Sequence, residues 1–124
     1  MGKPRILAID DEVGFVELVK SYFEPRGYEI DVALRGAKGI EMAVEKKPDV
    51  ILLDLKMPGI DGDEFLSLLR SKDQKSRVIF ITAYDDGGKT KARLLNSGAY
   101  AYFDKPISSL KALEEAVLNA HKEA

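Results

Sequence analysis

The sequence predicts an α/β domain built on one doubly wound parallel sheet of (βα)5 type, and three observations carry that prediction. Five short apolar runs alternate with five stretches of helical spacing along 124 residues, close to the usual size of one domain and too short for two. Three of the runs, Ile6-Leu7-Ala8-Ile9, Val50-Ile51-Leu52-Leu53 and Val78-Ile79-Phe80-Ile81, are continuously hydrophobic, as strands covered on both faces must be. A fourth, Tyr28-Glu29-Ile30-Asp31-Val32, alternates polar with apolar and so belongs at a sheet edge. Right-handed crossovers then leave few topologies, and strand order 2-1-3-4-5 with the amphipathic second strand at one edge satisfies them.

The strands are expected over Arg5–Ile9, Tyr28–Leu34, Asp49–Leu53, Arg77–Ile81 and Ala99–Phe103. The first helix starts near Glu12 and stops at Pro25-Arg26-Gly27, with Phe15, Val16, Leu18, Val19, Tyr22 and Phe23 on one broad apolar face toward the sheet. The second spans Ala37 to Lys47 before Pro48, the third runs from Asp63 to Arg70, and the fourth from Gly88 to Asn96-Ser97-Gly98. The last follows Ser108, whose hydroxyl suits a cap, and carries Leu110, Leu113, Val117 and Ala120 at helical spacing. His121 near its end reads as an exposed helix residue.

Composition removes whole classes of function. With 45% hydrophobic and 32% charged residues the chain holds one core and is not disordered. Nineteen basic against 21 acidic residues give a net charge of −2, without the basic footprint of a nucleic-acid binder. No cysteine and a single histidine exclude disulfides, thiolate zinc sites, cysteine nucleophiles and most Ser–His triads. No apolar run approaches the ~20 residues that span a bilayer, and no signal-peptide hydrophobic region precedes the first strand, so a cytoplasmic domain is expected.

Doubly wound sheets bind ligands outside the carboxyl ends of their strands. There the chain places Asp10-Asp11-Glu12 after strand 1, Asp54-Leu55-Lys56 after strand 3, Thr82-Ala83-Tyr84 after strand 4 and Asp104-Lys105-Pro106 after strand 5. One rim thus gathers carboxylates, a hydroxyl and an ammonium. Two carboxylates ~5 Å apart repel by ~3 kcal/mol at an effective dielectric of 20. Such a cluster either keeps a proton or takes a hard divalent cation, and an open rim of Asp oxygens with no histidine or thiolate suits Mg²⁺. A carboxylate beside Mg²⁺, with a lysine and a threonine opposite, is equipped to accept a phosphoryl group.

Asp10-Asp11, Asp54 with Met57-Pro58-Gly59-Ile60-Asp61-Gly62, Thr82-Ala83 and Lys105-Pro106, each after its own strand, resemble the receiver domain of two-component response regulators, a flavodoxin-like fold. The resemblance runs from Ile6 to the final helix and implies a single receiver over residues 1–124 without an output domain in this chain. It implies that Asp54 accepts phosphate from a histidine kinase or a histidine phosphotransfer protein. It implies that Asp11, Asp54 and the carbonyl of Lys56 ligate Mg²⁺, with Asp10 reaching the metal through water. Lys105 would pair with the phosphoryl oxygens and precede a cis peptide to Pro106. Thr82 and Tyr102 match the switch pair, while Lys56 and Tyr84 hold the positions that tune phosphate lifetime. Val13, Gly14 and an edge of Leu18 form the expected docking patch for the donor. The fourth helix, fifth strand and fifth helix form the expected output face, with no direct nucleic-acid or membrane contact.

Plainer readings exist for each residue. Asp10-Asp11 could only cap a helix, Thr82 and Tyr102 could be ordinary strand residues, and Lys105 could snorkel. Gly87-Gly88-Lys89-Thr90 imitates the tail of a phosphate-binding loop, but that pattern needs glycine where the chain has Ala83. The enzymatic alternative is a Mg²⁺-dependent phosphohydrolase working through an aspartyl phosphate. That class places a second Asp two residues after the nucleophile, where this chain has Lys56.

Overall fold

The computed structural model describes residues 2–57, 59–72 and 75–122. Its strands are β1 (Ile6–Ile9), β2 (Ile30–Ala33), β3 (Val50–Leu53), β4 (Arg77–Thr82) and β5 (Ala101–Asp104). They form one parallel sheet in the order β2-β1-β3-β4-β5. The helices are α1 (Val13–Phe23), α2 (Gly36–Lys46), α3 (Gly62–Ser71), α4 (Lys89–Asn96) and α5 (Leu110–Lys122).

The continuous apolar strands feed two cores. Leu7, Ile9, Ile51, Leu53, Val78 and Phe80 pack with Ala43 of α2, Phe65 and Leu69 of α3 and Leu94 of α4. Ile6, Ala8, Val50, Leu52, Ile79 and Ile81 point the other way, against Val16, Val19 and Phe23 of α1 and Leu113, Val117 and Ala120 of α5. Each of the larger of these side chains contributes about 1.5–3 kcal/mol on burial, so the central strands cannot slip by one residue without exchanging cores. β2 lies at the edge, with Asp31 and Val32 only half buried.

Several boundaries differ from the sequence expectation. β2 begins at Ile30, because Tyr28 and Glu29 lead into the sheet. β4 and β5 each run one residue further, to Thr82 and Asp104, which pair across the strands. α1 ends at Phe23, followed by a 3₁₀ turn over Glu24–Arg26. α3 starts at Gly62, capped by Asp61, whose carboxylate accepts the Glu64 N–H at 3.0 Å. The cap of α5 is Ser109, not Ser108: its Oγ accepts the Ala112 N–H at 3.0 Å. The buried face of α1 is narrower than the six expected residues, and Leu18 is 48% exposed. His121 is half-buried rather than exposed, with Nδ1 3.8 Å from Asp49 Oδ1. No described helix is long and apolar enough to cross a membrane.

Candidate functional site

Parallel strands end on one rim, and here the rim gathers the polar residues that the core cannot accept. Asp10 follows β1 and is 2% exposed. Its N–H donates to Ala33 O, while its Oδ1 accepts the Glu12 N–H at 2.9 Å. Asp54 follows β3, and its N–H donates to Ile9 O, so the two aspartates stand side by side. Asp54 is 8% exposed, and its Oδ1 accepts the Lys56 N–H at 3.3 Å. The Gly62 N–H donates to Leu55 O at 2.7 Å, which seats the start of α3 against the end of β3. Gly59 has φ +92°, and a Cβ on Gly62 would meet the Phe80 ring at 2.5 Å. The spacing of those glycines after Asp54 thus follows from one backbone reversal and one close approach.

Lys105 enters from the end of β5 through a cis peptide to Pro106. Its backbone N–H donates to Thr82 O, which holds the β4 and β5 ends together. Its Nζ lies 2.6 Å from Asp10 Oδ2, 2.5 Å from Glu12 Oε1 and 3.4 Å from Asp54 Oδ2, with the Phe15 ring centroid 4.6 Å away. The side chain is 10% exposed, so it does not snorkel. Burial works to lower the Lys105 pKa, yet the bonds to Asp10 and Glu12 and the charges of Asp10 and Asp54 hold the ammonium above the ordinary lysine range. Burial pushes the Asp10 carboxyl up, against the bonds from Lys105 and the Glu12 N–H, and the Asp54 charge adds to the rise.

Thr82 is 1% exposed at the end of β4, and its Oγ1 accepts the Tyr84 N–H at 3.2 Å. The Tyr102 hydroxyl donates to Tyr84 O at 3.1 Å, and its ring stands 6.5 Å from Phe80. Lys56 Nζ sits 4.6 Å above the Tyr84 ring. Tyr84 therefore joins the β3, β4 and β5 ends at the mouth of the site.

Oxygens of Asp10, Glu12 and Asp54 lie within 4.8 Å of one another. Asp11 is not in that trio; it stands exposed beside it. Glu12 and Phe15 are the site residues that sequence reasoning missed. The acidic run after β1 was visible, but which acid turns inward depends on the Asx-type bond from the Glu12 N–H to Asp10. The donor set fits a hard cation: all ligand atoms are oxygen, and one ammonium faces three carboxylates. The phosphate-loop imitation is closed off, because the Asp86 carboxylate takes the Thr90 N–H at 3.0 Å and its hydroxyl at 2.6 Å. An acid thus fills the place an anion would need.

Comparison with known proteins agrees with this geometry. A family model for the response regulator receiver domain matches residues 6–118. Sporulation initiation phosphotransferase F of Bacillus subtilis is 34% identical over 107 residues, covering 86% of each chain. The transcriptional regulatory protein TrcR of Mycobacterium tuberculosis is 37% identical over 117 residues, which are 94% of this chain but 44% of that relative. Among solved structures, the receiver domain of the Francisella response regulator 1452 superposes with a TM-score of 0.89 at 30% identity, covering 98% of both chains. A CheY-like receiver domain protein from Methanospirillum hungatei gives 0.84 at 27% identity, over the whole of both.

Proposed function

The chain belongs to the response regulator receiver domain family, and from that premise we propose that Asp54 takes a phosphoryl group from a phosphohistidine on a kinase or phosphotransfer partner. The observation that carries this is the seat of Asp54 itself. It is a nearly buried carboxylate at a strand end, with the Lys105 ammonium at 3.4 Å and the Thr82 hydroxyl on the adjoining strand.

An Asp54 oxygen attacks phosphorus as the bond to the donor's imidazole nitrogen breaks, and the imidazole leaves. Lys105 moves onto a phosphoryl oxygen, where its positive charge offsets the charge of the transferring group. The Thr82 hydroxyl donates a hydrogen bond to another. Asp54, the Lys56 carbonyl and Asp11, once turned in from its exposed place beside the trio, would hold Mg²⁺, with Asp10 behind them; when bound, that ion supplies charge neutralisation at the phosphoryl oxygens. The strain of drawing Thr82 inward passes through Tyr84 to Tyr102, and so to the α4–β5–α5 surface. In this way the domain catalyses its own modification and signals through it. Position 56 as lysine, together with relatives that are signalling proteins, leaves the phosphohydrolase alternative without support.

For the donor, the exposed Leu18 lines a groove with Phe15, Ala83, Pro106 and Ile107 beside Lys105, and the exposed Val13 and Gly14 stand at the start of the same helix. An apolar helical surface presenting its histidine to Asp54 fits there. Val13→Lys should slow transfer from the cognate donor while sparing a small phosphodonor; equal rates would remove the patch from the account. The central test is intact mass after incubation with a small phosphodonor and Mg²⁺. One phosphoryl group per chain is expected, and none with Asp54→Asn. Phosphate released over many turnovers would overturn the switch in favour of an enzyme.

A further inference from the structure

The Lys105 ammonium has three N–H donors, and their distribution is uneven. The short contacts run to Glu12 at 2.5 Å and Asp10 at 2.6 Å, both at the β1–α1 junction, while the contact to Asp54 is 3.4 Å. One helical turn after Glu12, at the i,i+3 spacing that shares a face, Phe15 presents its ring to the same nitrogen at 4.6 Å. The start of α1 therefore forms a seat that holds the lysine closer to Asp10 and Glu12 than to the phosphoryl acceptor, which keeps the longest of its three contacts.

The two acids of that seat are not equivalent. Asp10 is buried and further fixed by the Glu12 N–H, whereas the Glu12 side chain is 63% exposed. An exposed carboxylate regains water when its partner leaves, so its contact is the cheaper one to surrender. A phosphoryl group on Asp54 needs the ammonium, and the bond to Glu12 is the one that opens.

We propose that Glu12 is a positioning residue that draws Lys105 toward the start of α1, lengthening its contact with Asp54 in the resting state, and competes with the phosphoryl group for it. This rests on the reading of Asp54 as phosphoryl acceptor. Phe15 supports the same seat through its ring. The contribution of Glu12 is of the size of an exposed ion pair, which corresponds to an effect of about two- to fivefold.

The test uses the full chain at saturating Mg²⁺ and measures the affinity for beryllofluoride, a mimic that adds to carboxylates as a phosphoryl group does. Glu12→Gln should bind it about two- to fivefold more tightly than the unaltered chain. Glu12→Asp keeps the charge but shortens the reach, and should behave like Glu12→Gln. Glu17→Gln removes an exposed charge further along α1 and should change nothing. In ¹⁵N-lysine spectra of the resting protein, the Lys105 ammonium signal should shift in Glu12→Gln without any mimic present. An unchanged or weaker affinity in Glu12→Gln overturns the inference, as does an equal gain in Glu17→Gln, which would make the effect one of bulk charge. An unaltered chain that takes neither the mimic nor a phosphoryl group, with its Lys105 signal still moved by Glu12→Gln, would overturn the Asp54 reading and leave the resting seat standing.

Discussion

The two ends of α1 solve the same problem, charge beside an apolar core, in opposite ways. At its start, one ammonium faces the carboxylates of Asp10, Glu12 and Asp54. At its far end, one carboxylate is served by several donors: Glu114 of α5 accepts the Tyr28 hydroxyl at 2.7 Å and the Tyr22 hydroxyl at 2.9 Å. Arg26 lies 3.7 Å from the Tyr22 ring centroid and Lys3 Nζ lies 4.7 Å from that of Tyr28. The first cluster is left with excess negative charge and invites a cation or a neutralising partner. The second is closed, and so serves stability rather than chemistry. Substitutions at the two ends should therefore separate function from folding.

The largest effect is expected at Lys105. Lys105→Met removes the only cation among the described residues that contacts the acidic trio. Phosphoryl uptake at Asp54 should slow by about 10²-fold, the scale of losing one preorganised charge donor. In metal-free buffer the variant should also lose about 3 kcal/mol of stability, because buried carboxylates are left uncompensated. Mg²⁺ should restore most of that loss but not the rate. Denaturant titrations with and without Mg²⁺ check the first part, and time-resolved intact mass the second. Full stability without metal would break the contrast between the two ends.

Next comes Glu114→Ala, which leaves two phenols without their acceptor. Hydrogen bonds to a charged group contribute about 1.5–3 kcal/mol, so a loss of about 2 kcal/mol is expected, with Asp54 phosphorylation unchanged. If phosphoryl uptake fell in parallel, the far end of α1 would be coupled to the site, and the comparison would need to become one of cooperation.

The same cluster gives a pH signature. The Tyr28 hydroxyl bond first, opposed by burial and helped by the Tyr22 bond, holds the Glu114 carboxyl below its ordinary value of 4.5. A depressed carboxyl stabilises the fold fully above that value, and the contribution disappears as pH falls through the folded-state value. Burial first, then the bond to Glu114, raises both phenols above 10.0. Their contribution is complete below pH 10.0 and is lost as pH climbs beyond it. Glu114→Gln should flatten the acid limb of a stability–pH curve. An acid limb identical in both proteins would mean that the phenol bonds to Glu114 carry none of the acid sensitivity.

These contrasts also mark how far the chain could be read without coordinates. Runs such as Val50-Ile51-Leu52-Leu53 suit strands buried on both faces, and their strict alternation with helical stretches, under right-handed crossovers, was enough to choose the sheet order and hence the rim. Asp54, Thr82 and Lys105 were legible because each closes a strand on that rim. Glu12 was not, since three consecutive acids give no hint of which turns inward until the turn out of β1 is known. Likewise Tyr22 and Glu114 are 92 positions apart and meet only because α1 and α5 share a face of the sheet. His121 follows the buried stripe of α5 and reads as exposed; Asp49, from the loop before β3, closes over it.

The smallest expected effect is at Tyr102. Its hydroxyl bond to Tyr84 O is exposed, and water replaces an exposed bond at little cost, so Tyr102→Phe should change stability by no more than about 0.5 kcal/mol. The Tyr84 N–H remains held by Thr82, and the Tyr84 ring remains under Lys56. Phosphoryl uptake should therefore be untouched, since no atom of Tyr102 enters the acidic trio. What should change is the Tyr84 segment, which loses one of its three ties. Amide exchange at residues 84–86 should quicken in the resting Tyr102→Phe protein, with no change at residues 10–12. Quickening at both places would mean that the mouth of the site and its acidic floor move as one body, and the seat of Lys105 would then be coupled to Tyr102 as well as to α1.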